Sequence, residues 1–520
     1  MTTSKKMKSI LAVAVLTVTA VTGLFAQQNT VTINADAGKH IINKHIYGHF
    51  AEHLGACIYG GFYVGDTNKI IPNTNGVRND IIDALKKLKV PNLRWPGGCF
   101  ADEYHWRDGV GPKDKRPVKL NTNWGGVEED NAVGTHEFFD LVELLGAEAY
   151  VNGNLGTGTP QEMAEWLEYM TAEGKSTLAE LRRKNGRDKP FKVHYFGVGN
   201  EAWGCGGNMS VEYYTNLYKH YTTFLKTPAN NTPKWIASGS HSEDTSWADY
   251  MTANIKQKMD AVSFHYYTLP TGKWDVKGAA LQFPESEWIS TMQRTLAMDG
   301  FITNNKKVMD KHDPEKKVGF YVDEWGTWFD VEKGENPGFL YQQNSLRDAI
   351  VAALNFNIFH KHADRVHMTN IAQMVNVLQA MILTDKEKMI LTPTYHAYKM
   401  YVPFQDATAL PLKLSNVPDY KLGEVSVPAV SATAAKAKDG SVYLALVNAN
   451  PNKAETAEIK LDGIKINSVS GQLLTAEAMD THNTFAKPEA IKPTAFSAKG
   501  KNGKLSLELP AKSILVVKVQ

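Results

Sequence analysis

The stretch Phe196-Gly197-Val198-Gly199-Asn200-Glu201 is an apolar run that ends in an amide followed by a carboxylate. A second run of the same build, Phe320-Tyr321-Val322-Asp323-Glu324-Trp325, ends in another carboxylate. Short apolar runs bounded by polar residues read as strands buried on both faces, the condition of a parallel sheet covered by helices. Working outward from these two, strands are expected at Ile46 to Glu52, Asn92 to Trp95, Ala147 to Asn152, Val193 to Asn200, Trp235 to Gly239, Ala261 to Tyr266, Val318 to Glu324 and Arg365 to Asn370. Between them apolar residues recur every three or four positions, as in Ile81, Leu85, Leu88 and in Leu346, Ile350, Leu354, Ile358, which is the spacing of one helix face. No GxGxxG or Walker-type loop follows the first strand, so the usual argument for a nucleotide-binding open sheet is missing. The expectation is an α/β fold, a closed (β/α)8 barrel over residues 46–402, with the functional residues at the C-terminal ends of its strands.

After Pro403 the texture changes to short alternating runs such as Val442, Leu444, Leu446 and Leu505, Leu507, Leu509, broken by the turn signal Asp439-Gly440. Residues 403–520 therefore read as a C-terminal β-sandwich. The leading segment 27–45, with Val31 and Ile33, is expected to supply an edge strand to that sandwich, which would make it discontinuous in sequence.

Lys5, Lys6 and Lys8 precede the apolar run Ile10 to Val21, which gives residues 1–26 the form of an export signal cleaved after Ala26. An exported protein, periplasmic or extracellular, is expected, with no membrane span in the mature chain. A net charge of +2 and the lack of a basic block make nucleic acid a poor partner. The three cysteines, Cys57, Cys99 and Cys205, cannot all pair, so at least one thiol is free. No cluster with metal-ligand spacing is legible, and neither a metal nor an organic cofactor is expected.

Hydrolysis of a glycosidic bond needs two carboxyl groups at one anomeric carbon, one to protonate the leaving oxygen and one to attack or to activate water. Glu201 and Glu324, at the ends of strands four and seven of one barrel, meet that need in kind. Asn200 suits a bond to a neighbouring sugar hydroxyl, and the tryptophans after Glu324 suit the apolar faces of sugar rings. The bland alternative is a pair of solvated loop acids.

Several segments are more specific. Tyr47-Gly48-His49-Phe50-Ala51-Glu52-His53-Leu54-Gly55, Arg94-Trp95-Pro96-Gly97-Gly98-Cys99-Phe100 and Trp106-Arg107-Asp108-Gly109-Val110-Gly111-Pro112, together with Gly199-Asn200-Glu201 and Asp323-Glu324-Trp325, resemble glycoside hydrolase family 51, the α-L-arabinofuranosidases. The resemblance runs from about residue 30 to the C-terminus. It implies Glu201 as acid/base, Glu324 as nucleophile, Asn200 on the arabinose 2-hydroxyl and Glu52 on other ring hydroxyls. Arg94 would lie beneath the carboxylates, with a buried structural ion pair as its other reading. His265 and Tyr267 match positions at the site, Tyr267 bonding the nucleophile, although Tyr266 is the alternative inward residue. Trp124 and Trp328 match aromatic walls, or else pack on the surface. Cys99 matches a pocket-lining position, or is a small buried residue. The segment Thr384 to Pro393 lacks a glutamine that some family members place near the sugar.

The resulting expectation is an exo-acting, retaining α-L-arabinofuranosidase that strips arabinose from arabinoxylan, arabinan or their oligosaccharides, and a homo-oligomer, hexameric by resemblance. The alternatives are an endoglycanase or β-xylosidase on the same barrel, or a non-catalytic carbohydrate-binding protein.

Overall fold

The computed structural model of the chain describes residues 29–463, 466–500 and 505–520. The expected export signal, 1–26, lies outside the described residues.

Eight parallel strands close into a barrel in sequence order. They are Gly48–Phe50, Asn92–Trp95, Glu148–Gly153, Tyr195–Val198, Lys234–Ala237, Ala261–Thr268, Gly319–Thr327 and Val366–Ile371. The sequence ranges hold to within a few residues, with two instructive differences. The first strand is shorter than expected because Lys44–Tyr47 forms a turn of 3-10 helix. Strand seven runs three residues beyond Glu324, and its nine residues are all buried.

Tyr150, Tyr195, Ile236, Ala261, Tyr321 and Met368, one from each of six successive strands, form a buried cluster of their own that fills the barrel interior. Side chains two residues apart share a strand face, so the residue next above Tyr321 inside the barrel is Asp323. Glu324 would then point outward. It does not, because the pairing of strands six and seven slips: Ser263 faces Tyr321, but His265 faces Glu324. A bulge of this kind re-aims the residues beside it. Asp323 and Glu324 both reach Arg94 as a result, at 3.9 Å and 2.8 Å.

The helix Leu346–Lys361 starts at a capping box made by Ser345 and Asp348 and is buried along nearly its whole length. It is buried because strands of the C-terminal part cover its outer side, where Asn357 donates to Ser431 Oγ and His360 Nδ1 pairs with Thr433 Oγ1. Among the described residues that part contains a sheet of six strands, a sheet of four and a two-stranded hairpin, Asp419–Leu422 with Val425–Pro428. In the four-stranded sheet Asn29–Asn34 lies between Leu412–Ser415, antiparallel to it, and Glu455–Asp462, parallel to it.

Candidate active site

The C-terminal strand ends surround a hollow of about 620 Å³ whose walls include Glu52, Cys99, Trp124, Glu201, His265, Tyr267, Glu324 and Trp328. A larger hollow, about 990 Å³, lies where Leu296, Ile358 and Ala363 face Leu412, Val417 and Val430, and holds no pair of carboxylates.

Glu324 is bonded on both oxygens. Arg94 donates to Oε2 at 2.8 Å and the Tyr267 hydroxyl to Oε1 at 2.6 Å. Arg94 also donates to Asn200 Oδ1 at 2.5 Å, so one guanidinium ties the end of strand four to the end of strand seven. Burial alone would pull the Arg94 pKa down, but Asp323, Tyr150 and Glu324 outweigh it and hold the guanidinium charged. The neighbouring Tyr266 turns away, donating its hydroxyl to the Arg294 carbonyl.

His265 stands between the acids. Its Nδ1 lies 2.7 Å from Glu201 Oε1 and 3.5 Å from Glu324 Oε2, while Nε2 lies 3.3 Å from Asp323 Oδ1. Burial opposes its charge, yet Glu324, Asp323 and Glu201 push its pKa up to about 10. At neutral pH it is therefore an imidazolium with a proton on each nitrogen.

Glu201 sits on a turn with φ +37°, in the left-handed region that costs a non-glycine residue on the order of 1 kcal/mol. The turn is held from both sides. Asp102 accepts from the Asn200, Leu155 and Gly156 amides, and the Glu201 carbonyl accepts from Gly204 and Gly206. Burial raises the Asp102 pKa to about 7 against these three donors.

Glu52 forms the deep end of the hollow. Gly98, Phe100 and Trp124 donate to Oε1 and Gln373 donates to Oε2. Burial, with the Glu324 charge adding to it, nevertheless pushes the Glu52 pKa up to about 7. The backbone comes this close because of the two glycines: a Cβ at Gly97 would stand 2.7 Å from Glu52 Cγ, and one at Gly98 3.0 Å from Glu324 Oε2.

The structure thus brings together Glu52, Arg94, Asn200, Glu201, His265, Tyr267 and Glu324, with Cys99, Trp124 and Trp328 on the walls. Trp325 falls elsewhere. It is fully buried, donates to Thr369 Oγ1 and packs on Phe356 and Phe359, so it cannot meet a sugar. The segment Thr384 to Pro393 carries no glutamine, and Gln373, in the loop after strand eight, reaches Glu52.

Sequence reasoning also missed the outer wall. Trp203 lies tilted against His241, ring centres 4.0 Å apart, and Trp274, 57% exposed, meets Trp328 edge-on at 5.2 Å. It missed the pairing of Cys99 with Cys205, which leaves Cys57 as the buried free thiol. Among the described residues, Cys99, Glu201 and Cys205 bring ligand-type atoms within 4.8 Å of one another, as do Glu201, His265 and Glu324. Spacing along the chain concealed both groups.

Two carboxyl groups from opposite barrel strands, facing one aromatic-walled hollow, define a barrel glycoside hydrolase. Comparison with known proteins carries this further. Residues 84–280 match the family model "Alpha-L-arabinofuranosidase 1 domain", and residues 323–513 match "Alpha-L-arabinofuranosidase C-terminal domain". The chain is 50% identical to the intracellular exo-α-L-arabinofuranosidase of Bacteroides ovatus, over 99% of this chain and 100% of that one. The crystal structure of the family 51 arabinofuranosidase of Xanthomonas axonopodis pv. citri is 53% identical with a TM-score of 0.93, covering 95% of this chain and 100% of its own. The α-L-arabinofuranosidase of Thermotoga maritima, in complex with arabinose, is 30% identical with a TM-score of 0.84 and the same coverage. The chain belongs to the α-L-arabinofuranosidases of glycoside hydrolase family 51.

One expectation is corrected. The Bacteroides ovatus relative, matched along its whole length, is named an intracellular enzyme, which points away from the export read from the N-terminal residues. Among the described residues no helix is long and apolar enough to cross a membrane.

Proposed function

We propose that this arabinofuranosidase releases terminal arabinofuranosyl groups with retention of configuration. Glu324 attacks the anomeric carbon while Glu201 protonates the leaving oxygen, and Glu201 then deprotonates the water that frees the sugar. The observation that carries this reading is the closeness of the two carboxyl groups, one oxygen of each lying within 4.8 Å of the other. An inverting enzyme must seat a water between its acids and holds them roughly 6.5 to 9.5 Å apart.

The roles follow from the surroundings. Glu324 has a donor fixed on each oxygen, which aims the carboxylate along one line of attack. Glu201 has one oxygen on His265 and the other beside the exposed Cys205, the side on which leaving group and water would arrive. Asn200, steadied by Arg94, bonds the 2-hydroxyl, and Glu52 takes other ring hydroxyls at the buried end. A hollow closed at Glu52 and open at Trp274 suits removal of single terminal sugars rather than cleavage within a chain. The exo action named for the Bacteroides ovatus relative supports the same choice. The proposed substrates are arabinoxylan, arabinan and their fragments, and the proposed assembly is a homo-hexamer, readable by light scattering.

The test is NMR of the first product from an aryl α-L-arabinofuranoside. The α-anomer appears first under this proposal, and a β-anomer appearing first rejects it. Aryl furanosides run beside pyranosides decide between this reading and a β-xylosidase.

A further inference from the structure

The disulfide lies in the active site. Cys99 follows the Gly97-Gly98 turn beside Glu52 and Glu324, and Cys205 stands four residues after Glu201. The Cys205 sulfur lies 3.4 Å from Glu201 Oε2, and Cys205 is exposed, so a thiol reductant can reach it. The two Cα atoms are 5.5 Å apart.

We propose that reduction of the Cys99–Cys205 bond creates a site for a thiophilic divalent cation, of which Zn²⁺ is the probe, with Cys99, Cys205 and Glu201 as protein ligands. The geometry supports three bonds. A tetrahedral ion with bonds of about 2.3 Å to sulfur and 2.0 Å to oxygen needs its sulfurs about 3.8 Å apart and each sulfur about 3.5 Å from the oxygen. With Cα atoms 5.5 Å apart, rotation of the two cysteine side chains can supply the first separation; the Cys205–Glu201 contact at 3.4 Å matches the second, and the Cys99 sulfur lies within 4.8 Å of the same carboxylate. Two neighbours set the outer shell. His265 Nδ1 holds the far oxygen of Glu201, and Asn200 Nδ2 approaches the Cys205 sulfur at 3.9 Å. The fourth position opens into the hollow, where water completes the set.

The chemistry balances. Two equivalents of a small thiol give up two protons and two electrons, the sulfur–sulfur bond breaks to two cysteine thiols, and the small thiol leaves as its own disulfide. Zn²⁺ then binds as both cysteine thiols release their protons to solvent. The ion takes the Glu201 oxygen beside Cys205, so the acid/base is blocked and turnover falls. This last consequence rests on the acid/base role proposed above, whereas the binding does not.

The experiment uses the whole enzyme in two forms, as oxidised and after reduction by a phosphine that is then removed. Co²⁺ serves first, because thiolate ligation gives a near-ultraviolet charge-transfer band. One equivalent is expected to produce the band in the reduced form, absent in the oxidised form, and Zn²⁺ is expected to displace it. Cys205→Ser should lose the band, Cys57→Ala should keep it, and Glu201→Gln should bind about ten-fold more weakly. Circular dichroism checks that each variant is folded. Zn²⁺ should lower turnover of the reduced enzyme about a hundredfold, the ordinary worth of a general acid, with recovery on EDTA and no effect on the oxidised form. A reduced enzyme with no band, or a band that survives Cys205→Ser, overturns the site. A band with undiminished turnover keeps the site and removes Glu201 from the acid/base role.

Discussion

The ends of strands four and seven each present a glutamate to the same hollow, and they are built in opposite ways. Glu324 lies within a nine-residue buried strand, aimed by a bulge and held by Arg94 and Tyr267. Glu201 lies just past a four-residue strand, on a left-handed turn, beside an exposed disulfide, with a single hydrogen-bonding side chain on its carboxyl group. A group that forms and breaks one bond to one carbon gains from being fixed. A group that serves first a departing oxygen and then a water gains from standing at the open side.

The widest separation between the two is expected from deletion. Glu324→Ala should lose at least about 10⁴-fold in kcat on every substrate, activated or not, because both chemical steps need that carboxylate. Glu201→Ala should lose about 10² to 10⁴-fold on substrates with sugar leaving groups. On a nitrophenyl arabinofuranoside it should still form the glycosyl-enzyme and then stall. Azide, which attacks without a base, should restore its turnover and give the α-azide, while any azide product from Glu324→Ala should be the β-azide. The α-azide from Glu324→Ala instead would exchange the two roles.

A smaller effect probes the fixing of Glu324. Tyr267→Phe removes one hydrogen bond to a charged group, worth about 1.5 to 3 kcal/mol, so kcat/KM should fall about 10- to 100-fold. Tyr266→Phe removes a hydroxyl bonded to the Arg294 carbonyl and not to Glu324, and should change kcat/KM less than about threefold. Equal losses in the two variants would mean that the hydroxyl on Glu324 does not orient it.

A further effect, read on stability rather than on rate, concerns the residue that stands between both glutamates. The His265 pKa is raised from 6.5 to about 10 on folding, so its charged form stabilises the native state fully below pH 6.5. That contribution is lost as pH rises toward about 10. The excess melting temperature of the wild type over His265→Gln should therefore shrink across this window, and an excess that grows with pH would contradict the assignment.

The comparison also explains what was legible. The two glutamates stood out because each closes an apolar run, and eight such runs with helical spacing between them are a local pattern that any closed barrel must leave. Glu324 owes its inward direction to a slip against His265 on another strand, which no pattern within Gly319–Thr327 records. Gln373 bonds Glu52 across 321 residues, and Cys99 pairs with Cys205 across 106. Nothing in the segment around Asp102 signals its role, because the three amides it accepts from come from Leu155, Gly156 and Asn200. Pairings of this range are decided by the closure of the barrel, so the sequence lists the partners without joining them. The tryptophans show the same limit: Trp325 and Trp328 lie three residues apart, yet one fills the packing under a helix and the other walls the hollow.

The strand Asn29–Asn34 has a consequence for how the molecule is made. Its parallel partner is Glu455–Asp462, and Asn29 hydrogen-bonds Glu455 across 426 residues. At synthesis rates of about 5 to 20 residues per second, the earlier strand waits some 20 to 85 s on the ribosome before its partner exists. Every barrel strand is translated within that interval, so the barrel has time to close while Val31 and Ile33 still lack their cover. During this wait the edge of the strand that pairs with Glu455–Asp462 stays open, an exposed template for pairing with other chains.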